Sequence, residues 1–244
     1  MRGRASTGIA LAAIVAMAIS ACGGSGDSSA TSGGSGASGG NGVASDSADQ
    51  ILASAVQAAR HAKSVHVAGT VKNGSQTIGI DLSITSGHGT SGSISEGAAS
   101  FKLIEAGGAF YIQPNGRFLA KFVHSNAAAQ LLHGKWLKGS PTDASFKSFA
   151  QLTSIKSLMG SLTQNHGTLT KGSTATVNGV KAIALHSSKG GTMYVATTGK
   201  PYPLEVSKTN GSTTGKVTFS NYDQRFAISA PSNSVDLDQL QSGG

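Results

Sequence analysis

The stretch SVHVAGTVKNGSQTIGIDLSIT, residues 64–85, decides the fold. Val65, Val67 and Val71 fall on one side of an extended chain, His66 and Thr70 on the other. Ile78, Ile80, Leu82 and Ile84 then alternate with Gly79, Asp81 and Ser83. A period of two is that of a strand with one buried face. Asn73-Gly74 between the two runs predicts a type I′ hairpin turn, so the strands are antiparallel neighbours. The pattern continues through a turn at Gly87 to Gly89, a strand from Thr90 to Glu96, and strands at Ser100 to Ala106 and Ala109 to Gln113. Gly107-Gly108 separates the last two, and Pro114-Asn115-Gly116 closes them. Short strands with tight turns and no helix between them make a meander, not βαβ units.

Helical spacing flanks this meander. Upstream, Ser47-Ala48-Asp49-Gln50 has the form of a capping box. Ile51, Leu52, Ala55, Val56, Ala59 and Ala62 then give one apolar stripe on a helix of about 15 residues, with Arg60, His61 and Lys63 in its last turn, where positive charge suits the dipole. Downstream, Asn126 is placed to cap a helix from Ala127 to His133, with Gly134 ending it. Lys135-Trp136-Leu137-Lys138 reads as a short extended piece. Phe146, Phe149, Leu152, Ile155, Leu158, Met159 and Leu162 predict one long amphipathic helix, or two joined near Thr153-Ser154.

Strand patterning then returns at Thr174 to Val177, Val180 to His186, Thr192 to Ala196, Tyr202 to Val206 and Lys216 to Tyr222, with turns at Asn178-Gly179 and Asn210-Gly211. The expected fold is α+β: a large curved antiparallel sheet of about ten or eleven strands with a few helices on its concave side. Gly69, Gly79, Gly92 and Gly215 sit inside strands, where glycine marks bulges, bends or close backbone approach. Helices on the concave side either enclose an apolar space or fill it as core, and patterning alone favours filling.

The N-terminus reads differently. Arg2 and Arg4 precede an uncharged, mostly apolar run from Ile9 to Ile19. Its 11 residues are too few to span a bilayer as a helix, which takes about 20. A basic start, a short apolar run and small residues before a boundary are the marks of a secretory signal peptide, here residues 1–21. The boundary Ile19-Ser20-Ala21-Cys22-Gly23 resembles the bacterial lipobox, whose cysteine carries a diacylglycerol thioether and becomes the first mature residue. Cys22 is the only Cys in the chain, which excludes an internal disulfide framework and a cysteine zinc cluster. Residues 23–42 then hold 9 Gly and 6 Ser in 20 positions, with nothing apolar larger than Ala. Such a segment reads as a flexible tether, with an r.m.s. reach of roughly 25 Å. The expected organisation is a signal peptide (1–21), a lipidated Cys22 with its tether (22–46), and a single domain (47–240), expected to be monomeric.

Composition narrows the function classes. Charged residues make up 12% of the chain, about half the usual share. A mean hydropathy of −0.04 excludes a polytopic membrane protein. Removing Arg2 and Arg4 leaves 17 basic against 11 acidic residues, a net +6 scattered along the chain. That is not a nucleic-acid footprint, and it is better read as a solvated surface. The seven histidines contain no i, i+4 pair and no H-E-x-x-H, so neither a metal nor another cofactor is expected. No carboxylate pair suggests acid–base work. Gly36-Ala37-Ser38-Gly39-Gly40, Gly34 to Gly39 and Gly87 to Gly92 match nucleophile-elbow or dinucleotide patterns without the strand–turn–helix context that gives them meaning. The two Asn-Gly-Ser matches to the glycosylation pattern, at Asn73 and Asn210, are hairpin turns.

Lipobox, tether, capped helix, antiparallel strands, Lys135-Trp136-Leu137, the central helices and Asn178-Gly179-Val180 together resemble the actinobacterial lipoproteins of the LppX/LprG type. Tyr194-Val195-Ala196, Gly199, Pro203-Leu204 and Val217-Thr218-Phe219-Ser220-Asn221-Tyr222 extend the resemblance. Those proteins share a fold similar to the LolA/LolB carriers, a curved half-barrel with helices closing its mouth. The resemblance implies noncatalytic binding or carriage of a lipid-like ligand in an apolar cavity, next to a membrane held through the acyl chains on Cys22. Lining residues here would be Ile80, Leu82, Phe101, Phe110, Trp136, Phe146, Phe149 and Leu158, each of which serves equally as ordinary core. The alternative of another class is an envelope signalling or scaffold protein with a filled core that engages a protein partner, because one fold hosts several functions.

Overall fold

The computed structural model describes residues 40–123, 125–143, 146, 149–164 and 166–237. Cys22, the expected signal peptide and most of the expected tether lie outside them. The strands are β1 (Ser64–Asn73), β2 (Gln76–Thr85), β3 (Gly89–Glu96), β4 (Ala99–Ala106), β5 (Ala109–Pro114), β6 (Trp136–Gly139), β7 (Leu169–Val177), β8 (Val180–Ser187), β9 (Gly191–Ala196), β10 (Pro203–Lys208), β11 (Thr213–Ser220) and β12 (Ser234–Asp236). The α-helices are α1 (Ala48–Arg60), α2 (Gly116–Phe122), α3 (Asn126–Leu132) and α4 (Ile155–Thr163). All twelve strands form one open sheet in the order β12-β6-β5-β4-β3-β2-β1-β11-β10-β9-β8-β7. The fold is α+β, as expected. Every pairing is antiparallel except β12 with β6.

One row of residues shows how the sheet makes its core. Phe219, Val67, Leu82, Gly92, Leu103, Ile112 and Leu137 stand opposite one another across seven adjacent strands. All the side chains in that row are buried. They belong to one apolar cluster with Ile183, Leu185, Met193 and Val195 from the other wing, and with Ile51, Leu52, Ala55, Val56 and Ala59 of α1. At about 4.8 Å per strand, twelve strands laid flat would span roughly 50 Å, far wider than one helix can bridge. A shared core therefore requires the sheet to curl around α1. Strand glycines permit the curl. A Cβ on Gly69 would run into the Lys216 carbonyl, and one on Gly92 into the Asp81 carbonyl.

α1 forms where its signals stand. The Ser47 hydroxyl accepts from the Gln50 N–H, and the Gln50 side chain accepts from the Ser47 N–H at 3.0 Å. A buried apolar stripe follows. Among the described residues, no helix is long and apolar enough to cross a membrane.

Several local expectations are corrected. The β1–β2 loop is Gly74-Ser75, not Asn73-Gly74, because Asn73 still pairs with Gln76. Gly74 alone there takes a positive φ, and type I′ needs two such residues. Asn178-Gly179, with φ of 49° and 80°, does meet that demand. Pro114-Asn115-Gly116 does not simply close the meander: the Asn115 side chain accepts from the Phe118 N–H at 2.8 Å and starts α2. Ser125, not Asn126, caps α3. The Phe146 to Leu162 periodicity is not one long helix. Phe149–Gln151 is a single 3-10 turn, and α4 begins after Ser154, whose hydroxyl accepts from the Ser157 N–H. The sheet also gains β12, three residues that pair in parallel with β6 and form that edge of the sheet.

Candidate functional site

The concave face of β2–β5 is the most aromatic part of the molecule, gathering six of the chain's eight Phe. Phe101 of β4 meets Phe118 of α2 edge-on and Phe149 of the 3-10 turn, both at 5.2 Å between centroids. Phe110 of β5 stacks on Phe146 at 6.0 Å with planes 7° apart, and Phe149 closes the set at 6.1–6.4 Å from both. Offset and edge-on contacts at these distances each add about 0.5–1.5 kcal/mol beyond area burial. Phe146 finds its place because β6 ends in a glycine: a Cβ on Gly139 would occupy the Phe146 ring. Thr90, fully buried on β3, donates its hydroxyl to the Thr153 carbonyl at 3.1 Å, tying the turn before α4 to the sheet.

α2 lies over the open edge of this group. Phe118 and Phe122, 4.5 Å apart, cover Ile78, Ile94, Phe101 and Phe149, and the Lys121 ammonium reaches Glu96 at 2.8 Å. Between cover and sheet lies a void of about 20 Å³. That is room for a water molecule and no more. α3 buries no side chain and leaves Leu131 68% exposed.

Of the residues expected from the sequence to line a cavity, Ile80, Leu82, Phe101, Phe110, Phe146 and Phe149 are brought together in the core. Leu158 packs against that core half-buried. Trp136 is also half-buried, but it alternates to the other face of β6 from the inward Leu137. Phe118, Leu119 and Phe122 escaped the sequence reading. Their signal was Asn115 three residues ahead of Phe118 and an i, i+4 pair of aromatics, short enough to pass for the end of a turn. Cys22 lies outside the described residues.

One polar line on the outer face has the order of a hydrolytic relay. His66 of β1 stands 3.3 Å by its Nδ1 from Ser220 Oγ of β11 and 3.0 Å by its Nε2 from Asp81 Oδ1 of β2. It crosses interior strands whose backbone N–H groups are engaged by the ladder, so nothing there offers the paired free amides an oxyanion needs. Among the described residues no group of three His, Cys, Asp or Glu could hold a metal.

No family model matches the sequence, and no curated protein does either. Solved structures similar to this chain include LprF from Mycobacterium bovis, 13% identical over 75% of this chain and 96% of that one, TM-score 0.49. Mycobacterium tuberculosis lipoprotein LppX is 13% identical over 74% of this chain and 99% of that one, TM-score 0.47. The Pseudomonas aeruginosa MucA/MucB complex is 15% identical over 80% and 61%, TM-score 0.32. The chain's structural neighbours thus include two mycobacterial proteins of the kind its sequence resembles, LprF and LppX.

Proposed function

We propose that this chain is an exported lipoprotein, held at the outer face of the cell membrane by acyl chains on Cys22, whose domain carries a lipid or other hydrophobic ligand without transforming it. The observation that carries this reading is the thin aromatic cover on an apolar concave sheet. α2 has seven residues, well below the ~12–15 at which a helix begins to stand alone, so it holds its place through Phe118, Leu119 and Phe122. An acyl chain entering beneath it replaces one set of apolar contacts with another. That exchange costs little burial and opens onto Phe101, Phe149 and Phe110. The described packing is the closed state, and the ligand competes with the cover for the same surface.

The test is mass spectrometry of organic extracts from the protein purified out of native membranes. A bound lipid at constant stoichiometry is expected. Repeated absence of any stoichiometric lipid from well-folded protein overturns the reading. The tightness of the same packing, with its void of about 20 Å³, supports a second reading: a scaffold with a filled core that engages another protein. A specific protein partner, cross-linked in cells to a lipid-free domain, selects it.

A further inference from the structure

The strand registers bring one set of chain segments to a single end of the sheet. β1 begins there at Ser64, paired to Thr85 at the end of β2 and flanked by Ser220 at the end of β11. The end of α1 and the β9–β10 loop arrive at the same end. The end of α1 with residues 61–63, the end of β2 with Ser86 and His88, and residues 223–226 and 228 after β11 bound a solvent-open groove of about 770 Å³. Arg60, Lys63 and Arg225 stand exposed on its walls, 165 positions apart at the extremes, with His61 and His88 beside them. Among the described residues, no ion pair engages any of those three cations. The groove's one carboxylate, Asp223, is already satisfied. It accepts from the Lys63 N–H at 2.8 Å, the Lys200 ammonium at 2.8 Å and the Tyr202 hydroxyl at 2.7 Å. Phe226 and Ile228 lie half-buried among the charges. A groove with excess positive charge and apolar side chains suits a ligand that is anionic at one end and greasy at the other.

The N-terminal attachment lies at this end too. Asn41 donates its backbone N–H to the Thr197 carbonyl at 2.8 Å and its side-chain amide to the Ala196 carbonyl at 3.0 Å, where β9 ends. Seventeen residues lie between Cys22 and Gly40. With Cys22 read as the anchored residue, the end of the sheet that carries the groove is the end joined to the anchor. We propose that the groove binds the phosphate-bearing headgroups of anionic lipids in the membrane, setting the orientation of the domain on its surface. The orientation rests on the reading of Cys22 as the anchored residue. The groove's ligand does not, and headgroup binding is measured separately from lipid carriage.

Residues 1–21 supply none of the described elements, so residues 22–244 with Cys22→Ser keep the described fold and lose the anchor. Co-sedimentation of this chain with phosphatidylcholine vesicles, with and without phosphatidylglycerol, reads the headgroup directly. Binding is expected only to the mixed vesicles, weakening as salt is raised. Replacing Arg60, Lys63 and Arg225 by Gln should cut apparent affinity at least about 10-fold, with the melting temperature lowered by no more than a few degrees through the lost charge at the end of α1. Lys72→Gln, Lys102→Gln and Lys208→Gln together, which remove the same charge outside the groove, should cost under about threefold. Arg225→Gln alone, outside every helix and strand, gives a partial loss free of any folding question. Equal binding to neutral vesicles, equal loss from both triple changes, or saturable binding of inorganic phosphate without vesicle binding would each overturn the proposal.

Discussion

Gly92 stands in the inward row between Leu82 and Leu103, where neighbouring strands all place a side chain. Its φ is 156°, and a Cβ there would meet the Asp81 carbonyl oxygen and the Leu82 Cα. Gly92→Ala must therefore push β2 and β3 apart, and urea unfolding should show a loss of about 2–4 kcal/mol. An unchanged midpoint would mean the strands have slack that their packing denies. Asp223 makes a second residue-scale prediction. Hydrogen bonds from Lys200 and Tyr202 hold its carboxyl at about 2, against 3.8 ordinarily. A lowered folded value means stability that is whole above 3.8 and drains away as pH falls toward 2. In Asp223→Asn that acid limb should flatten in a melting series. At the alkaline end, burial pushes the Tyr222 phenol well above its ordinary 10.0, so stability falls as pH rises past that value, and Tyr222→Phe should blunt the fall. That glycine interrupts strands is plain in the sequence. Which carbonyl it makes room for is not, since the partner lies on another strand.

Elements with local instructions were legible, and those without were not. α1 carries its cap and its stripe in consecutive residues and forms two residues short of the expected length, so that of Arg60, His61 and Lys63 only Arg60 lies in its last turn. Ser47→Ala removes one half of the capping box and should cost about 1 kcal/mol in thermal unfolding. A loss near zero would show that the turn at Val43–Ser45 holds the helix start by itself, with the Lys171 ammonium on the Ala44 and Asp46 carbonyls. α2 was invisible because seven residues give barely two turns of periodicity. The aromatic run beginning at Phe146 shows the converse failure: its three- and four-residue spacing is genuine, but the rings are placed by Gly139, Phe110 and Phe101 on the sheet. Tertiary packing outweighs helical propensity there.

For the molecule as a whole, the curl of the sheet turns one face into a concave apolar surface and gathers one end into a groove. The proposed attachment to the membrane is tested at this scale as well. Cys22→Ser should move the protein from membrane to soluble fractions or leave it unprocessed, and a variant that partitions and migrates like wild type would remove the anchor reading. The sequence by itself determined what depends on neighbours a few residues apart: the two-residue period, the capping box, the Asn178-Gly179 turn and the α+β class. The tertiary structure decided what depends on residues far apart in the chain. It set the aromatic cover, the inward row across seven strands, and the meeting of Arg60, Lys63 and Arg225, whose charges look scattered along the sequence. Periodicity reports which face of a strand is buried, but only the register between strands says what that face is buried against.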